Sequence, residues 1–243
     1  MFSFGIVRKA IPIKEISDFR KQATEVHTIA SSLLNQHGHL NVLRHLDSRI
    51  SRFATTAASI NLDALNQHDQ LLATVQQATK DILEEHLHRP VCDIDLGWLR
   101  KQYPPSKRPI GQSPHSWHQD GACGLDLSEQ TAEHQLTPMI TVWIPLDDCG
   151  KYAPSIELIP DSPNRLLRPA ELSDRSAQWR KRETKSIQMQ AGDILILAEH
   201  CLHRTYVNEA MNQSRFCAEF RFLEEDSIPQ QFVNHQFRKQ KLT

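Results

Sequence analysis

The stretch AGDILILAEHCLHRTYVNEAMNQSRFCAEFRF, residues 191–222, contains two runs typical of β-strands with a polar segment between them. The first run, Ile194–Leu197, is apolar and follows a Gly-Asp pair that favours a turn. The second run, 215–223, is rich in aromatic and other apolar residues. The stretch therefore predicts two strands, with two histidines, His200 and His203, in the segment that joins them.

Similar runs occur throughout the part of the chain that follows Pro90. Many short strands with Pro, Gly and Asp between them indicate an all-β sandwich or barrel. The further runs are DIDLGWLRKQY (93–103), HSWHQDG (115–121), MITVWIPLDD (139–148), SIELIP (155–160) and KSIQMQ (185–190). The segment LSDRSAQWRKRET (172–184) is expected to lie outside this core as a loop or short helix.

The first third of the chain has helical rather than strand-like spacing. Apolar residues Ile16, Phe19, Ala23, Ile29 and Leu33 recur at roughly helical steps, and they predict a first helix that the His37–His39 segment ends. A second helix is expected around Leu43–Phe53. A third should begin near Asn61 or Asp63 and stop before Pro90. The histidines in these helices lack the H-E-x-x-H spacing of a metal pair, so no chemistry is assigned to them.

These patterns predict one α+β domain over residues 1–243 rather than two domains. A helical layer, 1–90, would pack on a β core, 91–225, and a polar tail, 226–243, would be loosely held.

Composition excludes several classes of function. A formal net charge of −1 provides no global field that would attract nucleic acid or an anionic membrane. No apolar run reaches membrane-spanning length, and the first residues are too briefly apolar for a signal-peptide core. The five cysteines are odd in number and show no C-x-x-C spacing, so we expect neither a zinc knuckle nor a disulfide framework. Such cysteine usage predicts a reducing compartment, and we therefore expect a cytoplasmic location.

A histidine and a carboxylate lie two residues apart in HSWHQDG. On a β-strand, His118 and Asp120 would point to the same face while Gln119 pointed to the other. The H-x-D pattern alone is weak, and an ordinary surface pair explains it equally well.

A histidine from the segment after Leu197 would complete a set of two histidines and one carboxylate. Such a set leaves open positions on the metal and is typical of non-heme Fe(II) oxygenases. One open position would take O₂, and two would chelate an α-keto acid. We predict His203 rather than His200 as the third ligand, because His200 has no hydroxyl residue two places further on.

The second carboxylate of a keto acid such as 2-oxoglutarate would need a cation deep in the site. Arg215, twelve residues after His203 and about one hairpin away, offers a bidentate guanidinium. Thr205 would share the side of the chain that carries His203 and add a hydroxyl. Glu219 and Arg221 are predicted to form a structural ion pair or to face solvent.

The region from Trp98 to Phe222 resembles the phytanoyl-CoA dioxygenase family of Fe(II)/2-oxoglutarate oxygenases. The resemblance is carried by WHQDG, TVWIPLDD, IELIPDSP and GDILILAEHCLHRT followed by SRF. Asp161 and Pro163 depart from the Gly and His that are usual in the third segment. The resemblance implies a double-stranded β-helix core, also described as jelly-roll or cupin-like.

The resemblance also implies roles for individual residues. Iron would be bound by His118, Asp120 and His203, and the distal carboxylate of 2-oxoglutarate by Arg215 and Thr205. Trp143 matches a tryptophan that lines the co-substrate pocket, although a core aromatic is an equal explanation. Arg100 and Gln102 share one strand face, and one of the two is expected to reach the keto-acid end.

The predicted activity is oxidation of a small-molecule substrate, by default hydroxylation, with release of succinate and CO₂. A related halogenase would lack the aspartate, so the presence of Asp120 argues against that alternative. A non-catalytic cupin-like binding module or a plain β-sandwich would not require Arg215 and Thr205. The basic segment RKQYPPSKRPIGQ (100–112) fits either an acidic substrate or a solvated loop. The sequence predicts no oligomeric state.

Overall fold

A computed structural model describes residues 2–45, 59–62, 65–66, 68–92, 97–109, 113–122, 135–174 and 176–229. Within these ranges the strands are β1 (Phe4–Val7), β2 (Ser59–Asn61), β3 (Pro90–Cys92), β4 (Trp98–Gln102), β5 (Met139–Pro145), β6 (Ser155–Leu158), β7 (Lys185–Ser186), β8 (Ile194–Ala198), β9 (His203–Tyr206) and β10 (Arg215–Glu224). The α-helices are α1 (Ile13–His45), α2 (His68–His86) and α3 (Pro169–Ser173). Short 3₁₀ turns occupy Pro105–Lys107, Asp120–Ala122, Gln178–Lys181 and Glu225–Ser227.

The strands form two antiparallel sheets. The larger sheet has the order β1-β8-β5-β10-β4-β2, and β3 also pairs with β10. The smaller sheet has the order β7-β6-β9. Strands β9 and β10 therefore belong to different sheets, and the expectation that a hairpin joins His203 to Arg215 is wrong. The intervening residues instead cross from one sheet to the other.

Both faces of the larger sheet are covered, which explains why every residue of β5 is buried. Ile140, Val142 and Ile144 pack in the same apolar cluster as α1 and α2. Trp143 points to the other face, where it packs with Ile156 and further residues associated with the smaller sheet. Because successive side chains of a strand point to opposite faces, one set of β5 side chains packs against the helices and the other set faces the space between the sheets.

Helix α1 buries Ile16, Phe19 and Ala23 as predicted, but the stripe then continues through His27 and Ala30. Ile29, expected in the core, is 52% exposed. The predicted break at His37–His39 is also wrong, because the helix continues to His45. A glycine inside a helix costs only about 1 kcal/mol relative to alanine, so Gly38 does not by itself end the helix.

The second predicted helix, Leu43–Phe53, lies mostly outside the described residues. The third begins later than predicted, at His68, because Ser59–Asn61 pairs with β4 as a strand. An acidic residue, Asp69, lies in the first turn of α2, and the helix ends before Pro90 as expected.

Strands β4 to β8 and β10 correspond to predicted runs, whereas β1, β2, β3 and β9 lie outside them. Strand β1 pairs with β8 in register Phe4↔Leu197 to Val7↔Ile194. Segment 172–184 contributes the end of α3 and a 3₁₀ turn, as expected for a peripheral element. The start of the predicted loose tail is held, since Asp226 forms an ion pair with Arg89, and residues 230–243 lie outside the described ranges. Among the described helices, none has the length and apolar character needed to cross a membrane.

Candidate functional site: a two-histidine, one-carboxylate cavity

A cavity that is partly open to solvent lies between the two sheets. Strands β4, β5, β8 and β10 of the larger sheet form one wall, and β6 and β9 form the other. The sequence-predicted site residues all line it: Gln102, His118, Asp120, Trp143, His203, Thr205 and Arg215.

His118 and His203 face each other across an isolated antiparallel bridge. Each donates its backbone N–H to the carbonyl oxygen of the other over 3.0 Å. Directly opposed residues of an antiparallel pair carry their side chains on the same face. The two imidazole centroids are consequently 4.3 Å apart.

Each of these histidines makes the same local hydrogen bond through Nδ1. His118 Nδ1 is 2.7 Å from the carbonyl oxygen of Ser116, and His203 Nδ1 is 2.9 Å from that of Cys201. A protonated Nδ1 that donates to a carbonyl oxygen leaves the lone pair on Nε2. This hydrogen bond therefore fixes the ring in the tautomer that can bind a metal through Nε2. Both Nε2 atoms face Asp120, at 3.8 Å from Oδ1 for His118 and 3.7 Å from Oδ2 for His203.

Asp120 does not lie on a strand, so the expected reason for its closeness to His118 is wrong. In the segment 115–121, only His118 forms a β-bridge, and the chain then turns through the 3₁₀ segment Asp120–Ala122. The turn is fixed by Gly121, whose N–H donates to Glu199 O over 3.0 Å. A Cβ at position 121 would lie 2.7 Å from the Glu199 Cβ, so only glycine allows this approach.

Gln119 points away from the cavity, as predicted. Its buried amide donates to the carbonyl oxygens of Arg165, over 2.9 Å, and His200, over 3.0 Å. Its Oε1 accepts the backbone N–H of Leu167 over 2.7 Å. The residue between two candidate ligands thus ties their segment to the loop before α3.

The site keeps Asp120 ionised and His118 neutral. Burial disfavours the charged carboxylate, but its neighbours, the Arg221 guanidinium foremost, outweigh burial and hold the pKa of Asp120 well below its usual range. Burial, and secondarily His203, lower the pKa of His118 to about 4 although its side chain is 35% exposed. An anionic carboxylate beside a neutral imidazole is the ionisation state in which these groups bind metal. The ligand-type atoms of His118, Asp120 and His203 lie within 4.8 Å of one another.

Arg215 is buried in the same cavity, with 2% of its surface exposed. Its guanidinium donates to Pro154 O over 2.9 Å and to Cys217 Sγ over 2.6 Å, and it lies 4.7 Å from the Trp143 ring centroid. Burial raises the pKa of Cys217 to about 12, so this neighbour is a neutral thiol. No carboxylate of the described residues forms an ion pair with Arg215.

Two further predicted residues lie near Arg215. Thr205 follows His203 by two positions on β9 and is buried like it, as the alternation predicted. The indole Nε1 of Trp143 is buried and has no hydrogen-bond partner among the described residues. Trp143 therefore lines the cavity as well as packing in the core, and its indole N–H can still donate a hydrogen bond.

Gln102 and Arg100 share the cavity face of β4, where Gln102 lies directly opposite Arg215. Arg100 Nε donates to Glu219 Oε2 over 2.9 Å, and its Nη1 is 3.4 Å from His115 Nε2. Arg100 therefore pairs with a carboxylate of the protein, whereas Arg215 pairs with none in the described part of the chain.

His200 does not join the three clustered ligand-type residues. It is buried outside the cavity lining, with Nδ1 3.6 Å from Glu199 Oε1. Glu199 is in turn 2.6 Å from His86 Nε2 at the end of α2. Burial disfavours its charge, but His200 and His86 lower the pKa of Glu199 to about 2.

Sequence reasoning missed that Glu219 and Arg221 belong to the site. They do form an ion pair, Arg221 Nη2 to Glu219 Oε2 over 3.7 Å, but both are buried in the cavity and neither faces solvent. Strand periodicity alone predicts their position, because residues 217, 219 and 221 lie on the same face of β10 as Arg215. His115 also lines the cavity and was not singled out.

The model of the family described as Phytanoyl-CoA dioxygenase (PhyH) matches residues 6–217. No curated protein matches the chain.

Several solved structures are similar over almost the whole chain. AviO1 from Streptomyces viridochromogenes Tue57 is 16% identical with a TM-score of 0.63, covering 94% of this chain and 92% of its own. The epimerase SnoN in complex with Fe³⁺, alpha ketoglutarate and nogalamycin RO is 11% identical with a TM-score of 0.61, covering 92% and 79%. EctD from S. alaskensis with 2-oxoglutarate and 5-hydroxyectoine is 14% identical with a TM-score of 0.59, covering 93% and 73%. At such identities these likenesses show a shared fold.

Proposed function

Because the chain belongs to the phytanoyl-CoA dioxygenase family, we propose that it is an Fe(II)- and 2-oxoglutarate-dependent oxygenase that acts on a small molecule. Ferrous iron would be held by His118, Asp120 and His203. The co-substrate would be held by Arg215, Thr205 and Trp143, with Gln102 beside them.

The donor set fits ferrous iron. Two imidazole nitrogens and one carboxylate, converging in a cavity, are the facial triad that leaves open positions on non-heme iron. The Nδ1 hydrogen bonds of both histidines fix the rings before a metal arrives. The SnoN and EctD structures described above, which contain Fe³⁺ or a keto acid, support this choice on a similar fold.

The observation that carries the proposal is that Arg215 is buried and pairs with no acidic residue among those that the structure describes. Burying an ion costs several kcal/mol even after the protein relaxes, and a charge of this kind is normally paired. A dicarboxylate ligand supplies the missing anion, and a guanidinium binds it through two charge-assisted hydrogen bonds. The spare Trp143 Nε1–H and the Thr205 hydroxyl are additional donors in the same cavity.

Bound iron, with 2-oxoglutarate and O₂, would supply the oxidative decarboxylation that yields succinate and CO₂ and oxidises a substrate C–H bond. The protein's own groups would orient the reactants. Arg215 would fix the co-substrate at its distal end, and the bridge between His118 and His203 would keep two metal positions rigid. The placement of the cavity between two sheets would limit access of water to the reacting atoms.

Hydroxylation is the proposed outcome. The intact carboxylate of Asp120 disfavours halogenation, which needs that metal position for a halide. Proteins of similar fold catalyse other reactions, since one similar structure is described as the carbocyclase SnoK and another as the epimerase SnoN. The products therefore have to be identified directly.

We propose further that residues 1–243 form one domain with a double-stranded β-helix core. The two facing antiparallel sheets, with helices packed on the outer face of the larger one, support this assignment. A cytoplasmic location is also a proposal, and it is supported by the buried thiols of Cys149, Cys201 and Cys217, which form no disulfide among the described residues.

The test is conversion of 2-oxoglutarate to succinate by purified protein, with and without Fe(II), across a library of small polar metabolites. Wild type should form succinate only with iron, and faster with its substrate. Asp120→Ala should form none while keeping its fold by circular dichroism. Iron-independent turnover, or full turnover by Asp120→Ala, would contradict the proposal.

A further inference from the structure

Arg221 and Arg215 project from the same face of β10 into one cavity, but their partners differ. Arg215 contacts a carbonyl oxygen, a thiol and an aromatic ring. Arg221, 6% exposed, places Nη2 3.4 Å from Asp120 Oδ1 and 3.7 Å from Glu219 Oε2. The two arginines therefore serve different ends of the site.

We propose that Arg221 is a positioning residue for the candidate metal carboxylate. By holding Oδ1 of Asp120, it would leave Oδ2, which lies 3.7 Å from His203 Nε2, as the oxygen offered to the metal. The inference rests on the proposed function, because it concerns a metal at that site.

The need for such a residue follows from carboxylate chemistry. A carboxylate can bind a metal through one oxygen or both, and it can rotate about its Cβ–Cγ bond. Binding through both oxygens would fill a position that the co-substrate or O₂ requires. A hydrogen bond to one oxygen favours binding through the other and fixes the plane of the group.

Glu219 makes a guanidinium tolerable at this place. A buried cation beside a divalent metal would repel it, whereas an adjacent carboxylate offsets that charge. Burial disfavours the charged form of Glu219, but Arg100 and Arg221 outweigh burial and lower its pKa, so the group stays anionic. Asp120, Arg221, Glu219 and Arg100 thus alternate in sign, and Arg221 is held from both sides.

The test uses Co(II) alone as a spectroscopic probe of the metal's surroundings. Wild type, Arg221→Met and Arg221→Lys are titrated anaerobically, and the visible d–d absorption is recorded. Arg8→Met is the matched control, because Arg8 pairs with Asp193 over 2.6 Å outside the site. Arg221→Gln, whose amide is too short to reach Asp120, replaces the Met variant if that one does not fold.

We expect Arg221→Met to bind Co(II) with a shifted d–d spectrum, because the released carboxylate can turn and bind through both oxygens. Arg221→Lys, which keeps a donor, should lie nearer to wild type, and Arg8→Met should match wild type. With Fe(II), Arg221→Met should lose about 10–100-fold in kcat for succinate formation while KM for 2-oxoglutarate changes by less than about threefold.

The outcomes separate this inference from the function on which it rests. Superimposable Co(II) spectra for wild type and Arg221→Met, or for wild type and Arg221→Gln, would overturn the positioning role and leave the oxygenase proposal intact. Failure of folded wild type to bind Co(II) or Fe(II) at all would overturn both.

Discussion

His118 and His203 exchange both of their backbone hydrogen bonds, each N–H donating to the other's carbonyl oxygen over 3.0 Å. Two candidate metal ligands that are far apart in sequence are therefore fixed by main-chain pairing rather than by side-chain packing alone. A change of either side chain should leave this pairing in place. Substitution at these positions is consequently expected to remove chemistry without removing the fold.

The first prediction separates His203 from His200. His203→Ala should lose Fe(II) binding, because it removes one nitrogen of the clustered ligand set, whereas His200→Ala should retain it. Metal content after anaerobic reconstitution measures the difference, and circular dichroism checks the fold. Loss of iron in His200→Ala alone would transfer the role to that residue and weaken the assignment of Thr205.

The second prediction concerns the buried guanidinium. Arg215→Ala should raise KM for 2-oxoglutarate by at least tenfold, since loss of one partner of a buried charge pair costs about 2–5 kcal/mol. Arg215→Lys should recover part of the loss, because a point charge does not reproduce the bidentate contact. Iron affinity should not change.

A co-substrate analogue provides the control for this variant. An α-keto acid without the second carboxylate should support equally slow turnover in wild type and in Arg215→Ala. An unchanged KM for 2-oxoglutarate in Arg215→Ala would mean that another cation binds the distal carboxylate.

The third prediction tests the turn that carries Asp120. Gly121→Ala should lower the free energy of unfolding by about 1–3 kcal/mol, because the new Cβ would meet Glu199 at 2.7 Å. Gly5→Ala is the matched control, since its Cβ would meet only the Phe2 ring at 3.2 Å. Urea denaturation compares the two. Equal stability of both variants would show that Gly121 is not constrained by this contact.

The fourth prediction is a pH dependence of stability that originates in the helical layer. Burial first, and then Lys101 and Arg20, lower the pKa of His27 from 6.5 to about 4, and Tyr103 Oη lies 3.2 Å from its Nε2. The unfolded chain therefore binds a proton at higher pH than the folded one. The stability that neutral His27 contributes is complete above pH 6.5 and is lost as the pH falls towards 4.

A glutamine at position 27 removes this titration while keeping an acceptor for Tyr103. Between pH 7 and pH 4.5, the Tm of His27→Gln should fall less than that of wild type. Parallel falls in Tm would show that His27 does not titrate with folding.

Local patterns predicted most strands of the core because these are short apolar or aromatic runs bounded by Pro, Gly or Asp, and within a strand the side chains alternate with a period of two. The same period correctly placed His203 and Thr205 on one side of β9. It also places Glu219 and Arg221 on the face of β10 that carries Arg215, although their charges alone predict either an ion pair or solvent exposure. Charged side chains enter a core when they neutralise one another, and that depends on Asp120 and Arg100 from distant segments.

The elements that sequence reasoning missed are those decided by distant partners. Strand β1 is short and contains a glycine, and it forms because β8 offers it an edge. Ser59–Asn61 carries helix-start residues, yet it pairs with β4. The turn at Asp120 depends on the approach of Gly121 to Glu199. These contacts join residues that are distant in sequence, so local secondary-structure propensity cannot predict them.

If one cavity binds both Fe(II) and 2-oxoglutarate, an anaerobic titration will detect the two together. Addition of 2-oxoglutarate to Fe(II)-loaded protein should produce the weak visible charge-transfer band of a keto acid chelated to ferrous iron, saturating near one equivalent per chain. His203→Ala, folded but without its metal, should produce no band. Absence of the band from folded wild-type protein supplied with Fe(II) and 2-oxoglutarate would contradict the account.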